Sequence, residues 1–455
     1  MQTQRDHVHA QVFMVGRLSS ALVEGDPTGA AIPGRRLQTG LSIGVLLALL
    51  LVGGFAVYGW IVPGGSSAYR QDGVILVEKE TGDRYVYVDG ALHPTPDMAS
   101  ALLIKGSGAQ VKLISKDSIK NVPRGYPMGV AGAPPRLPEP GALVSGPWLA
   151  CLPGSVVPGS KTAGPGLDLI PGAPAAPLPA GGFTVVRARN NVPYVVTGQL
   201  RFRVADPAVL VALGAAAIDP PPAPNAWLGT LGAGPDLGPA PIPGAGDPGP
   251  EVGGKEYPIG ALFRQRSDSG TDQLFVLRQD GLAPMSRTEF LFADAASPDA
   301  PVELDPAAVV GAARSADRSL LDRLPDLAAL KPQALGGRAL CVRQQAVSAQ
   351  MVSTEVVLVD PAWSGVDSAG RATVLTPIGS GMVVTPWPAT TAAGTKPPIV
   401  FISDQGYVHQ VADDESAGAL RLDAAQPVPF PSALLATMPQ GPVLSRKAVT
   451  GLPRG

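Results

Sequence analysis

Apolar positions along this chain fall into separate patterns. The first is an unbroken block from Gly40 to Val62, GLSIGVLLALLLVGGFAVYGWIV, which carries no charge. A run of that length crosses the roughly 30 Å hydrocarbon core of a bilayer as a helix, because only a helix satisfies its own backbone polar groups there. Tyr58 and Trp60 stand at its far end, where amphipathic rings favour the headgroup layer. Ahead of the block, Val8, Val12, Phe13, Val15, Leu18, Leu22 and Val23 recur near helical spacing. They predict an amphipathic helix from about Arg5 to Glu24, stopped by Gly25, Asp26 and Pro27. A lone helix of that length is marginal in water, so it is expected to dock, either on the inner leaflet or on a cytoplasmic partner; its few basic residues favour the partner.

Beyond the block the pattern turns to short β-runs with glycine turns, and four places share it. The first runs from Arg84 to Pro94 around Gly90, then Asp97 leads MASALLIK. The second runs from Pro193 to Phe202 around Gly198, followed by a helix signal with Asp206 at the cap, Pro207 in the first turn and Gly214 at the end. In the third, Leu274 to Leu282 around Gly281 precedes Ser286-Arg287-Thr288-Glu289, a capping box. The fourth, Ile399 to His409 around Gly406, reads as degenerate, with its helix displaced to Ser432–Met438. A hairpin and one short helix bury too little apolar surface to stand alone, so a shared platform is expected. Candidates are the stretch around Cys151, the run Ala339 to Val359, and Ala372–Leu375 with Gly381–Thr385.

The predicted fold class is mainly β with short helices, α+β, behind one cytoplasmic helix and one membrane helix. Gly (55) and Pro (50) together exceed a fifth of the 455 residues, which demands many turns and irregular connections. The stretches Gly125 to Gly146, Leu152 to Gly182 and Ile218 to Pro250 read as extended linkers or surface loops. The expected division is 1–39 cytoplasmic helix and flank, 40–62 span, 63–115 first repeat, 116–182 core segment with Cys151, 183–217 second repeat, 218–260 linker, 261–300 third repeat, 301–396 core segment with Cys341, and 397–455 fourth repeat with the C-terminal segment.

Charge sets the orientation and excludes one class of partner. Arg35 and Arg36 lie just before the span and no basic residue follows it until Arg70, so the positive-inside bias puts the N-terminus in the cytoplasm. The 35 basic and 37 acidic residues nearly cancel and no basic run stands out, which argues against nucleic acid. A cleaved secretory signal and a twin-arginine signal built on Arg35 and Arg36 are the competing readings. The block is longer than a typical h-region of roughly 7 to 15 residues and has only a loose small-residue match after it, from Gly64 to Ala68, which favours an uncleaved anchor. Cys151 and Cys341 then both lie in an oxidising compartment, where one disulfide is the expected state and two unrelated buried thiols the alternative.

Catalytic patterns are incomplete. Gly154 to Thr162 looks like a phosphate-binding loop with one residue inserted before Lys161, and Ala163-Gly164-Pro165-Gly166 after it cannot open a helix. Gly365 to Ala372 has two glycines but lacks Lys and Ser/Thr. The histidines His7, His9, His93 and His409 are too scattered for a metal site or a triad. The acidic cluster Asp413-Asp414-Glu415 reads as a solvated loop rather than a calcium or glycosidase site. No catalytic residue, metal or cofactor is expected.

The opening Met1 to Val8, Ser20 to Val23, the Pro33-Gly34-Arg35-Arg36 flank, Pro63-Gly64-Gly65, Tyr85 to Pro94, Pro427 to Leu435 and Gly441 to Leu444 together resemble the EccB family of type VII (ESX) secretion. The resemblance covers essentially the whole chain. It implies a subunit of the actinobacterial envelope with a β-rich core and peripheral repeats similar to phage-lysin cell-wall-binding modules, and a Cys151–Cys341 disulfide. Implied partners are the FtsK-like ATPase EccC, EccD, EccE and the mycosin protease, together with self-association and contact with peptidoglycan. Some family members carry an ATPase label. The function expected is that of a single-pass scaffold of the secretion complex, against the alternatives of an ATP-hydrolysing subunit and a stand-alone peptidoglycan-binding protein.

Overall fold

A computed structural model describes residues 4–23, 25, 35–61, 67–160, 164–267, 270–349, 351–388 and 396–450. The chain divides into two compact units: residues 1–72, 76–82 and 112–123 form the first, and residues 73–75, 83–111 and 124–455 the second.

The first unit carries both N-terminal helices. One runs Gln4–Val23, within a residue of the predicted bounds. The other, Arg35–Ile61, begins ahead of the apolar block, because Arg35 to Thr39 add a polar first turn to it. In the later segments of this unit Lys79 N–H donates to Ile114 O at 2.9 Å, and Lys116 N–H donates to Glu80 Oε2 at 3.0 Å.

The second unit is built on a six-stranded sheet whose order interleaves early and late chain: Val374–Leu375, Gly166–Asp168, Trp148–Cys151, Ala339–Ser348, Met351–Val359 and Ala175–Pro177. The two longest strands form an antiparallel hairpin, with Cys341 opposite Val357 on one side and opposite Cys151 on the other. This is the platform expected around Cys151 and Ala339–Val359. Gly381–Thr385, expected in the same platform, belongs elsewhere: strand Gly381–Trp387 pairs with Ile399–Ser403 and lies in parallel with Val428–Pro431, in the sheet of the fourth repeat.

The repeats are more regular than their spacing in sequence suggests. In each, the last strand of the hairpin forms a parallel bridge to a segment 32 residues downstream: Leu92 with Arg124, Arg201 with Ala233, Leu282 with Arg314, Val408 with Gln440. A short helix fills the interval, at Met98–Lys105, Ala208–Ala212, Arg287–Ala296 and Asp414–Ala419. The fourth repeat is therefore not degenerate. Asp413 accepts from Ser416 N–H at 2.8 Å, and Asp414 and Glu415 occupy the first turn, where acidic groups complement the helix dipole. The cluster expected as a solvated loop is a capped helix start, and Ser432–Leu435 is a separate single turn. Two other caps differ in detail. Pro207 rather than Asp206 occupies the cap position of the second helix, while Asp206 Oδ1 accepts from Ala208 N–H at 2.8 Å. Ser286 caps the third helix through Glu289 N–H, but the Glu289 side chain turns away to bind Arg323.

The repeats pack in two pairs. Helix Met98–Lys105 of the first lies against Asp414–Ala419 of the fourth and against Arg446–Thr450, closing a core of Leu102, Leu103, Phe401, Leu420 and Leu444. Arg421 fastens it by donating to Ser107 O at 3.1 Å and Ala109 O at 2.7 Å. Helices Ala208–Ala212 and Arg287–Ala296 meet in the same way between the second and third, around Phe183, Phe202, Phe292 and Leu327. The fifth strand of the second repeat's sheet, Lys331–Pro332, comes from after the third repeat, so the third is inserted into the second.

The stretches read as linkers are anchored in the core. Trp227, Leu228 and Leu231 of 218–260 are buried in the main hydrophobic cluster, as are Leu167, Leu169 and Leu178 of 152–182. Met128 and Ala133 of 125–146 are buried in the cluster that joins the first and fourth repeats. Single bulky residues suffice as anchors where proline already fixes much of the backbone, so composition averaged over the stretch hides them.

Candidate membrane anchor and assembly core

Within helix Arg35–Ile61, the segment Leu37–Gly59 is long and apolar enough to cross a membrane, and none of it is covered by the rest of the chain. Leu41, Leu46, Leu50 and Phe55 are all exposed, which in water would be a large apolar liability and in lipid is solvation. Tyr58 is 65% exposed near its C-terminal end. Arg35, Arg36 and Trp60 lie on the same helix, with their side chains outside the described residues.

Cys151 and Cys341 are joined, with an S–S distance of 2.07 Å and a Cα–Cα separation of 3.9 Å. They face each other across adjacent antiparallel strands, both fully buried, among Leu149, Ala339, Val357 and Val359, with Trp363 packed alongside. The bridge closes a loop of 190 residues that contains the whole second and third repeats. On the opposite face of the sheet Trp148 stacks on Phe430 of the fourth repeat at 4.7 Å and donates to Gln344 Oε1 at 3.1 Å. Trp227 donates to Ala150 O at 2.9 Å. Sequence reasoning missed these tryptophans; the signal was Trp148 beside Cys151 on an apolar run, and a lone Trp227 among prolines.

The turn glycines all have positive φ: +84° at Gly90, +57° at Gly198, +132° at Gly281 and +76° at Gly406. At Gly281 a Cβ would also meet Ala313 O at 2.2 Å, so there glycine is required by the returning segment as well as by the turn.

Two carboxyls are unusual. Asp97, the cap of the first repeat helix, accepts from Ser100 N–H at 2.6 Å, yet burial pushes its pKa up. Asp168 is fully buried on the central sheet; Oδ1 accepts from Ile170 N–H at 2.8 Å, Oδ2 has no partner among the described residues, and burial raises its pKa to about 6. Burial lowers the pKa of His409, whose Nδ1 lies 3.2 Å from Pro442 O.

Of the two glycine-rich stretches, Gly154 lies in the single turn Pro153–Val156, and Lys161 and Thr162 fall outside the described residues. The chain resumes at Gly164 and enters strand Gly166–Asp168, so no helix N-terminus follows that loop. Ser160 Oγ donates to Gly370 O at 2.6 Å, which ties the two stretches together as packing. Asp367 of the second binds Arg371, which holds its pKa below the usual range. Among the described residues no three His, Cys, Asp or Glu side chains gather around a common point that could hold a metal ion.

This architecture has close parallels. The family described as "Type VII secretion system ESX-1, transport TM domain B" matches residues 1–451. The chain is similar to "ESX-1 secretion system ATPase EccB1" of Mycobacterium tuberculosis, 26% identical with 98% of this chain and 94% of that protein covered. It is similar also to "ESX-3 secretion system ATPase EccB3" of Mycolicibacterium smegmatis, 28% identical over 97% and 89%. Among solved structures it resembles the EccB3 dimer from the ESX-3 core complex, with a TM-score of 0.58, 26% identity and coverage of 82% and 99%. A chain of an intact ESX-5 inner membrane complex shares the fold, with a TM-score of 0.59 at 24% identity over 100% and 97%. Matched from its first helix to its last, this chain belongs to the EccB family of type VII (ESX) secretion.

Proposed function

We propose that this protein is the membrane-anchored scaffold subunit of a type VII secretion complex. The observation that carries this reading is one uncovered apolar helix among the described residues, in a chain whose four repeats pack in two pairs beside a disulfide-tied sheet. Such a body offers large surfaces for neighbours, and its described residues bring together no catalytic constellation. Arg35 and Arg36 before the span support a cytoplasmic N-terminus, with residues from 63 onward outside the membrane. Helix Gln4–Val23, with Val12, Phe13 and Leu18 exposed, would dock on cytoplasmic machinery, and the exported body would self-associate as its relative EccB3 does. EccC, EccD, EccE and the mycosin protease are the partners we infer, with peptidoglycan as an additional contact of the repeats.

Mild-detergent purification of the tagged chain tests this directly. Co-purification of the FtsK-like ATPase is expected; a chain that sediments with peptidoglycan and brings no membrane subunit would overturn the scaffold reading. Protease added to spheroplasts should digest residues beyond 63 and spare the N-terminal helix. The ATPase in the relatives' names has its own test: hydrolysis by the purified chain that disappears in Lys161→Ala would assign nucleotide chemistry to a loop that here runs into a strand.

A further inference from the structure

We propose that Asp168 is a buried proton-binding site that couples the stability of the central sheet to the acidity of the surrounding medium. Asp168 lies two positions beyond Gly166, the register partner of Cys151, and is itself paired with Leu149. Strand alternation therefore puts its carboxyl on the face occupied by the disulfide, among apolar side chains. One oxygen is satisfied by Ile170 N–H and the other is bare among the described residues. A carboxylate so placed gives up hydration without full replacement, whereas a neutral carboxyl gives up far less.

Among the described residues, the elements around it supply no compensating charge. Strand Trp148–Cys151 presents Leu149 and the disulfide-bonded Cys151, which does not titrate; strand Val374–Leu375 presents Leu375 opposite Asp168. The 360–371 loop, whose Gly365 backbone packs on Leu167, carries Asp360, Asp367 and Arg371. Asp360 caps its own turn and Asp367 is bound to Arg371. Among the described residues, burial and the Ile170 bond alone set the Asp168 pKa near 6.

Because that pKa lies above the ordinary 3.8, the folded chain holds a proton that the unfolded chain releases between about pH 4 and pH 6. The stability contribution is complete below the lower value and is lost as pH rises through the upper one. A shift of this size corresponds to about a 100-fold change in the folded-to-unfolded ratio. His409 acts in the opposite sense: its pKa is lowered, so its contribution is lost as pH falls below the ordinary 6.5. The readout must therefore be a comparison between chains rather than the slope of one.

The test uses the full chain in detergent with its disulfide intact. Carboxyl carbon resonances of labelled aspartate are followed against pH, with Asp168→Asn identifying the Asp168 signal. Titration of that signal near pH 6 is expected; titration near pH 4 would overturn the proposal. In parallel, denaturant midpoints of the wild type and Asp168→Asn are compared across the same range. The variant should gain relative to the wild type as pH rises from about 4 to 7, approaching 100-fold in the unfolding equilibrium. Parallel profiles for the two chains would refute the coupling. If the asparagine variant folds poorly, through-bond correlation of the carboxyl carbon to the Asp168 backbone assigns the signal, and its titration in the wild-type protein decides.

Discussion

The ring of His409 fills the space that a side chain at position 441 would need: a Cβ built on Gly441 lies 2.1 Å from His409 Cε1. Gly441 N–H donates to Val408 O at 2.9 Å, so the returning segment cannot back away without giving up its bridge to the hairpin. The same pairing recurs at the equivalent positions of the first repeat, His93 with Gly125 at 2.3 Å, and of the second, Phe202 with Gly234 at 2.2 Å. In the third repeat both members change together, to Ala283 and Ser315. An aromatic ring on the last hairpin strand thus demands glycine 32 residues later, and a small residue there releases the demand.

Gly441→Ala should therefore destabilise the full chain by about 1–3 kcal/mol, the usual cost of overpacking a filled site. Combined with His409→Ala, the alanine at 441 should cost much less, since that pair imitates the third repeat. A double-mutant cycle on denaturant midpoints measures this, and additive losses would show that the ring and the glycine are not coupled.

Glu289, in the helix of the third repeat, and Arg323, in the segment that follows that repeat, make a second contact with a definite expectation. Glu289 is fully buried and receives Arg323 Nε at 2.5 Å and Nη2 at 2.7 Å, while Nη2 also donates to Gly238 O at 2.7 Å. Removing one partner leaves a buried charge, so Arg323→Met should cost about 3–5 kcal/mol. Adding Glu289→Met to that variant should recover most of the loss. Equal stabilities of the single and double variants would contradict the geometry.

The hairpins and most helix starts were legible because each depends on neighbours in sequence: alternation through Tyr85, Val86 and Tyr87, an acid or serine at Asp97 or Ser286 accepting from a backbone N–H a few residues on. Asp413 obeys the same rule with Ser416, but three adjacent acids match a solvated loop as well as they match a helix cap and first turn. The 32-residue return was hidden for a different reason. It rests on single bridges such as Leu282 with Arg314, which need no alternation and leave no local pattern. The disulfide followed from compartment and count, whereas Asp168 was invisible, since only tertiary packing decides whether an aspartate in an apolar run is covered.

Cleavage of the Cys151–Cys341 bond should matter most for the order of the early and late chain. The loop it closes is long, and the chain-entropy account gives at most about 5 kcal/mol for such a closure. Cys151→Ala with Cys341→Ala should lose about 2–5 kcal/mol of stability while retaining the repeats' secondary structure by circular dichroism. Unfolded wild-type chain kept free of reductant should take up no thiol-specific label. Labelling of either cysteine under those conditions would place free thiols where the structure has a bond.

Trp227 decides whether the proline-rich stretch 218–260 is a tether or part of the body. It sits in the turn Asn225–Leu228, fully buried with Trp148, Leu152 and Leu340 in one cluster, and its indole N–H donates to the carbonyl of Ala150, the residue before Cys151 in the disulfide-bearing strand. Trp227→Ala removes the ring and leaves that carbonyl without its donor, which should cost about 3–5 kcal/mol. Trp227→Phe keeps most of the apolar contact and should cost nearer 1 kcal/mol, the worth of the hydrogen bond. Pro243→Ala, at an exposed position of the same stretch, should change stability by no more than about 0.5 kcal/mol. Limited proteolysis gives the local readout: new cuts between residues 218 and 250 should appear in Trp227→Ala and not in Pro243→Ala. Were both variants to melt and cleave like the wild type, the stretch would be a free tether, and the repeats on either side of it would be held only by their own contacts.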